Sequence, residues 1–395
     1  MKTVNKISFM NQYPSILRSK LPNIGTTIFT VMSALANEHK AINLSQGFPD
    51  FEVDEKLISL IHQYYQKGMN QYAPMPGLLQ LRETIAEKCN YLYGISIHPE
   101  TEITITPGGT EAIFSAITSI IHPDDEVIIF EPAYDCYAPA IELCGGVPVY
   151  IELKAPNFTI DWNDVKKRIN HKTKLIIINT PHNPGGSIMT ESDMLQLQKL
   201  IETTDIMLLS DEVYEHIIFD NETHQSVLRF PKLAERSFAV YSFGKTLHAT
   251  GWKVGYVIAP ENMMKEFRKV HQFNVFSTNT PIQYALNDYL KDRNNYLYLP
   301  KFYEEKRNYF NQILTALPFK FIPAKGSYFQ CVDYSLISDE ADKDFAIRLT
   351  KEYGVAAVPV SAFYHRAKEN KMLRFCFAKK RETLDAAAEK LSKIK

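Results

Sequence analysis

The residues with the clearest chemical use lie between Tyr241 and Gly255, in Tyr241-Ser-Phe-Gly-Lys-Thr-Leu-His-Ala-Thr-Gly-Trp-Lys-Val-Gly255. A short apolar run, Phe238 to Tyr241, stops at Ser242, and Lys245 follows three residues later. Lys253 supplies a second cation, between Trp252 and the start of another apolar run. A lysine amine can form a Schiff base with an aldehyde, while a hydroxyl and a second cation can hold a phosphate. The layout suits a covalently held anionic cofactor. Taken alone it also suits a surface loop with two solvated lysines.

Other runs break in the same manner. Val127 to Phe130 precedes Glu131-Pro-Ala-Tyr134, and Leu175 to Ile178 precedes Asn179-Thr-Pro-His-Asn183-Pro-Gly-Gly186. Ile206 to Leu209 precedes Ser210-Asp211-Glu-Val-Tyr214. Each polar residue alone reads as turn chemistry. Their gathering after successive apolar runs argues for a site, because ligands of parallel sheets bind beyond the carboxyl ends of the strands. Thr104-Ile-Thr106 leads through Pro107, Gly108, Gly109 and Thr110 into a helical pattern carried by Ala112, Ile113, Ala116, Ile117 and Ile120. A glycine turn feeding a helix N-terminus presents free N–H groups and a positive dipole end to an anion. The spacing is not GxGxxG, so no dinucleotide fingerprint is present.

Three further positions stand out. Gly47, where a short strand beginning at Ala41 breaks, permits either a positive φ or a close approach to the backbone; a plain turn also fits. Tyr72 sits exposed in the proline-bounded loop Asn70 to Gly77, placed to reach outward. Arg374 interrupts the apolar strand Met372 to Phe377, so its charge must be paired or must face a cleft. A ligand carboxylate and a structural ion pair both meet that need.

The elements that must position these groups follow from periodicity. Continuous apolar runs separated by helical stretches predict an α/β fold, with a mainly parallel sheet covered by helices on both faces. A helix is expected over Thr27 to Ala36 and another from near Leu78. From about Asp288 the pattern changes to long helices, alternating strands at Phe319–Ile322, Ser327–Val332 and Met372–Phe377, and a terminal helix from Thr383 to Ile394. This reads as a smaller α+β domain. The expected division is an arm and part of the small domain in 1–45, a large cofactor-binding domain in 46–287, and the small domain in 288–395. Residues 1 to about 20 read as a polar arm.

A chain of 395 residues favours two such lobes. A net charge of -1 without a basic stripe argues against nucleic acid and membrane surfaces as partners. Five scattered cysteines without CxxC suggest neither a metal site nor a disulfide framework, but reduced thiols of a cytoplasmic protein. Neither a signal peptide nor a stretch of transmembrane length is apparent.

In their order, Asn183-Pro-Gly, Ser210-Asp-Glu-Val-Tyr214, Ser242-Phe-Gly-Lys245-Thr, Gly251-Trp-Lys253-Val-Gly and Leu373-Arg374-Phe resemble the class I aminotransferases, the fold-type I group of pyridoxal-phosphate enzymes. The resemblance runs from about Ile28 to the C-terminus. Asn43-Leu-Ser-Gln-Gly-Phe-Pro-Asp-Phe51 and Asn70-Gln-Tyr-Ala-Pro74 resemble the kynurenine and glutamine/phenylpyruvate branch, and Phe276-Ser-Thr-Asn-Thr-Pro281 its bacterial methionine aminotransferases. Lys253 stands where class I members often carry arginine, giving a phosphate a point charge rather than a bidentate fork.

The resemblance implies pyridoxal 5′-phosphate as cofactor, with Lys245 as its covalent anchor and proton carrier. Asp211 would pair with the pyridine nitrogen, Tyr214 and Asn183 with the phenolic oxygen, and Tyr134 would stack on the ring. Gly109, Thr110, Ser242 and Lys253 would hold the phosphate, with Tyr72 reaching in from the second subunit of a homodimer. Arg374 would grip the substrate carboxylate, helped by Asn183 and the Gly47 backbone, beside a side-chain pocket of Phe29 and Phe276. The activity implied is ping-pong transfer of an amino group from an L-amino acid to a 2-oxo acid. Methionine leads, followed by aromatic amino acids, kynurenine, glutamine and histidine. A β-lyase on the same scaffold is the first rival. The second, an amino-acid-sensing regulator, needs a DNA-binding module for which the arm before Thr27 is too short.

Overall fold

The computed structural model describes residues 18–366, 368 and 370–394. Residues 1–17, most of the expected polar arm, lie outside them.

A two-residue strand, β1 (Ile42–Asn43), follows the helix Ile28–Glu38. The central sheet is then built from β2 (Ile103–Thr106), β3 (Glu126–Glu131), β4 (Val147–Glu152), β5 (Thr173–Asn179), β6 (Met207–Asp211), β7 (Ser237–Ser242) and β8 (Gly255–Ile258). Beyond it come β9 (Phe329–Asp333), β10 (Val355–Ala356), β11 (Val358–Pro359) and β12 (Met372–Cys376). The seven strands are ordered β2-β8-β7-β6-β5-β3-β4. Strands β4, β3, β5, β6 and β7 run parallel, and β8 is antiparallel to both β7 and β2. The sheet is therefore mixed and mostly parallel, as expected apart from β8.

The unbroken apolar runs have a direct physical cause. Successive side chains of a strand point to opposite faces. Ile128, Phe130, Ile176, Ile178 and Leu208 join the core on one face, and Val127, Ile129, Leu175, Ile177 and Leu209 the core on the other. Because helices cover both faces, the central positions of these strands all face a core and carry apolar residues. Burying each such side chain contributes ~1.5–3 kcal/mol. The polar residues begin where the strands leave the sheet. That is why the chemistry collects at one edge.

Among the described residues, no helix is long and apolar enough to cross a membrane. One expected strand is corrected. Phe319–Ile322 makes only a single antiparallel bridge, Lys320 to Asp333, because Pro318 and Pro323 hem it in. β4, an edge strand with Pro148, was not expected at all; of its residues only Ile151 is buried.

Candidate active site

Five strand ends, a helix N-terminus and β12 converge on a cavity of about 300 Å³, at the lower end of the ~300–1,000 Å³ usual for small-molecule sites. Each wall has a local cause. β7 ends at Ser242, and one helical turn, Phe243–Thr246, carries Lys245. The chain turns back through Thr250–Trp252, and Lys253 takes a left-handed conformation (φ 54°) before β8 starts. Gly255, paired with Ser242, tolerates no side chain: a Cβ there would lie 2.4 Å from the Tyr241 carbonyl oxygen and 3.2 Å from the Gly108 carbonyl carbon.

β2 delivers Gly108, at φ 87°, as N-cap of the helix Gly109–Ile120. A Cβ on Gly108 would touch Lys253 Nζ at 3.4 Å, so the helix N-terminus and the second cation are neighbours. Thr110 Oγ1 lies 3.2 Å from the Tyr134 hydroxyl. These groups line one cavity together, at the glycine turn where an anion cradle is expected.

Asp211, 3% exposed, closes β6. Its carboxylate accepts hydrogen bonds from the Tyr137 hydroxyl (2.6 Å) and the Val213 N–H (3.4 Å). Burial outweighs both and pushes its carboxyl up from 3.8 to about 6. Asn179, the last residue of β5, braces this corner. Its Nδ2 donates to the Asp211 carbonyl (2.9 Å), and its Oδ1 accepts from the Asn183 N–H (2.8 Å).

Arg374, 1% exposed, enters from β12. Its Nη1 donates to Asn183 Oδ1 (2.7 Å) and its Nη2 to the Ser45 carbonyl (2.8 Å), while Nε has no partner. The guanidinium lies 3.8 Å from the Phe329 ring centroid, 5.1 Å from Phe363 and 5.2 Å from Phe29. Burial lowers its pKa. Among the described residues no carboxylate pairs with it, so the structural ion pair considered above is absent. Gly47 serves close approach, since a Cβ there would sit 2.7 Å from the Phe329 ring.

Lys245 Nζ donates to the Tyr328 hydroxyl (3.0 Å) and the Gly47 carbonyl (3.4 Å). Burial lowers its pKa from 10.5 to about 8, reinforced by Lys253 and Arg374 and opposed by Asp211. Buried Tyr214 lies with its ring 5.6 Å from that amine, and burial raises its hydroxyl pKa.

Of the expected residues, Phe29, Gly47, Gly109, Thr110, Tyr134, Asn183, Asp211, Tyr214, Ser242, Lys245, Lys253 and Arg374 all line this cavity. Tyr72 and Phe276 do not. They meet edge to face at 5.2 Å on the surface, 82% and 46% exposed. Sequence reasoning missed Asn179, Tyr137 and Tyr328. Only Asn179 left a signal, as a polar residue ending an apolar run.

Charges with no opposite charge paired to them among the described residues define the complement that a ligand must bring. Lys253 and the helix N-terminus need an anion, Asp211 needs a cationic donor, and Arg374 needs a carboxylate. Pyridoxal phosphate fits the first two through its phosphate and protonated ring nitrogen, and an amino acid fits the third.

Comparison with known proteins agrees. A family model for aminotransferase class I and II matches residues 39–391. Methionine aminotransferase of Escherichia coli (strain K12) is 48% identical over 386 residues, 98% of this chain and 100% of that protein. Kynurenine–oxoglutarate transaminase 1 of Homo sapiens is 32% identical over 397 residues, 91% of this chain and 94% of that one. A solved Escherichia coli structure described as having a methionine aminotransferase function superposes with a TM-score of 0.93 at 48% identity, covering 96% of this chain and 99% of that one. By this match along nearly its whole length, the chain belongs to the aminotransferases of class I and II.

Proposed function

We propose that this aminotransferase takes the amino group of an uncharged L-amino acid, methionine foremost, and passes it to a 2-oxo acid at the same site. Aromatic amino acids, kynurenine, glutamine and histidine are the further donors. The observation that carries the reading is Arg374, a buried cation without a carboxylate, caged by Phe29, Phe329 and Phe363 and facing the Lys245 cavity. A cation so placed calls for the α-carboxylate of a substrate, and the phenyl rings beside it favour an apolar side chain. The 48% identity to a methionine aminotransferase supports the choice of donor.

Bound here, pyridoxal phosphate supplies an aldehyde for the amino group and, with its ring nitrogen protonated, a sink for the electrons of the Cα–H bond. The remaining work falls to the chain. Lys245 would hold the cofactor and then carry the proton from substrate Cα. That needs a neutral amine, and with a pKa of about 8 about a tenth of it is neutral at pH 7. Asp211 would keep the ring nitrogen protonated. Ser242, Lys253, Gly109 and Thr110 would bind the phosphate, and Tyr134 would cover the ring. Asn183 gives its oxygen to Arg374, leaving its two amide protons for the phenolic oxygen beside Tyr214.

Domains divided at about 45/46 and 287/288 agree with the pairing of β1 with β10, which ties the N-terminal helix to the C-terminal elements. Exposed Tyr72, Phe273 and Phe276 suit burial against a second copy, from which Tyr72 would reach the partner's phosphate. The five free thiols suit the cytoplasm.

Incubation with methionine should convert it to its 2-oxo acid and leave the amino group on the cofactor. Release of pyruvate and a thiol from a cysteine conjugate, with no amino group retained, would instead identify a β-lyase. Arg374→Lys loses the fork and leaves buried acceptors unpaired. It should raise KM for methionine about 100-fold or more, in line with the ~3–5 kcal/mol of a broken buried pair. An unchanged KM would remove Arg374 from the carboxylate site.

A further inference from the structure

Lys245 donates to a hydroxyl that none of the roles above uses, that of Tyr328. We propose that Tyr328 is a positioning residue for transamination: it holds the protonated Lys245 amine against Gly47 while that amine is free of the cofactor. The inference rests on Lys245 being the proton carrier of the reaction proposed above.

The geometry is specific. Tyr328 is fully buried just before β9, beyond Ser327, whose backbone is left-handed (φ 59°) and whose N–H donates to the Ile217 carbonyl at 2.8 Å. Its ring is fixed edge to face by Tyr214 at 5.1 Å and Phe329 at 4.9 Å. Its hydroxyl donates to the Gly47 carbonyl at 2.5 Å. That commits its single proton, so toward Lys245 Nζ, 3.0 Å away, the oxygen can only accept. The Gly47 carbonyl, 3.4 Å from the amine, can likewise only accept.

Two acceptors and no donor form a receptor for an ammonium, not for an amine's lone pair. After Lys245 takes the proton from substrate Cα, its Nζ carries three donors. Tyr328 and Gly47 would occupy two, leaving the third aimed at the atom to be protonated next. No proton is gained or lost by Tyr328. The role differs from pure packing, since the phenyl ring alone would fill the same space.

The test is Tyr328→Phe in the full-length protein. The other titratable groups around the amine, Asp211, Tyr214, Lys253, Arg374 and Cys376, are retained, although Tyr214 loses its own hydrogen bond with the Tyr328 hydroxyl. After removal of the cofactor, the pH dependence of Lys245 modification by acetic anhydride, read by mass spectrometry, gives the amine's titration midpoint. The variant's midpoint should fall by about one pH unit, the effect of losing one charge-assisted hydrogen bond. In the holoenzyme, kcat for methionine should fall roughly tenfold with KM within twofold. Incorporation of 3-fluorotyrosine at position 328 keeps the hydroxyl but weakens it as an acceptor. It should move the midpoint the same way by a smaller amount, including where the phenylalanine variant fails to fold. An unmoved midpoint in both proteins, or a lower rate with no shift, overturns the proposal. Wild-type protein that does not transaminate at all overturns the functional reading instead.

Discussion

Lys245→Ala is expected to lose methionine transamination by about 10,000-fold or more and to remain folded. A general acid–base group alone is worth ~10²–10⁴ in rate, and Lys245 also anchors the cofactor in the reading above. No neighbour can substitute. Lys253 sits beside Gly108, and Arg374 is never neutral near pH 7. The fold should tolerate the change because the lysine strains the cofactor-free site. Its folded pKa of about 8 lies below its ordinary 10.5, so the buried charge costs stability fully below pH 8. The cost fades as pH rises from about 8 through 10.5. At pH 7 the cofactor-free variant should therefore melt no lower than the parent. Single-turnover reaction with methionine and a visible spectrum of the reconstituted protein measure the two halves. Turnover within tenfold of wild type would remove Lys245 from the chemistry.

Asp211→Asn should move activity and stability in opposite directions. In the proposed reading, loss of the carboxylate leaves the protonated ring nitrogen unsupported. Removal of one partner from a buried pair costs ~3–5 kcal/mol, or roughly 150- to 5,000-fold in kcat where the charge matters most in the transition state. The cofactor-free protein should gain. Its Asp211 titrates at about 6 against an ordinary 3.8, so the unfolded chain releases this proton more readily. Below about pH 4 both states hold the proton and nothing is lost. Between about 4 and 6 the penalty grows, and above 6 it reaches about 3 kcal/mol. The asparagine variant should exceed wild type in cofactor-free stability at pH 7 and match it near pH 4. Denaturant melts at the two pH values decide it; equal stability at both would mean that the site holds the charge without strain.

Much of this site was legible because its residues end apolar runs. Asp211, Ser242 and Asn183 each follow three or more buried strand residues, and the edge where they meet follows from parallel strands. Arg374 was legible for a different reason, as a charge inside a strand buried at every position. Tyr137 and Tyr328 were not. Each is an aromatic residue among aromatics, and its hydroxyl gains meaning only from Asp211, Gly47 or Lys245, far away in sequence. The direction of β8 was equally hidden, since Gly255–Ile258 has the same apolar character as its parallel neighbours. Phe319–Ile322 shows the converse. Its alternation is real, but the flanking prolines limit the ladder to one bridge.

The antiparallel β8 also sets an order of assembly. It returns at once beside β7, a pairing between near neighbours in the chain, whereas β2 must find β8 across the largest stretch of chain separating any adjacent strands of this sheet. Gly108 and Thr110 follow β2, and Lys253 precedes β8. The two sides of the proposed phosphate cradle therefore meet only when that long loop closes, a step slowed by its entropy. A refolding chain that binds cofactor there has joined β2 to β8, so uptake of pyridoxal phosphate would report closure of the longest loop within this sheet.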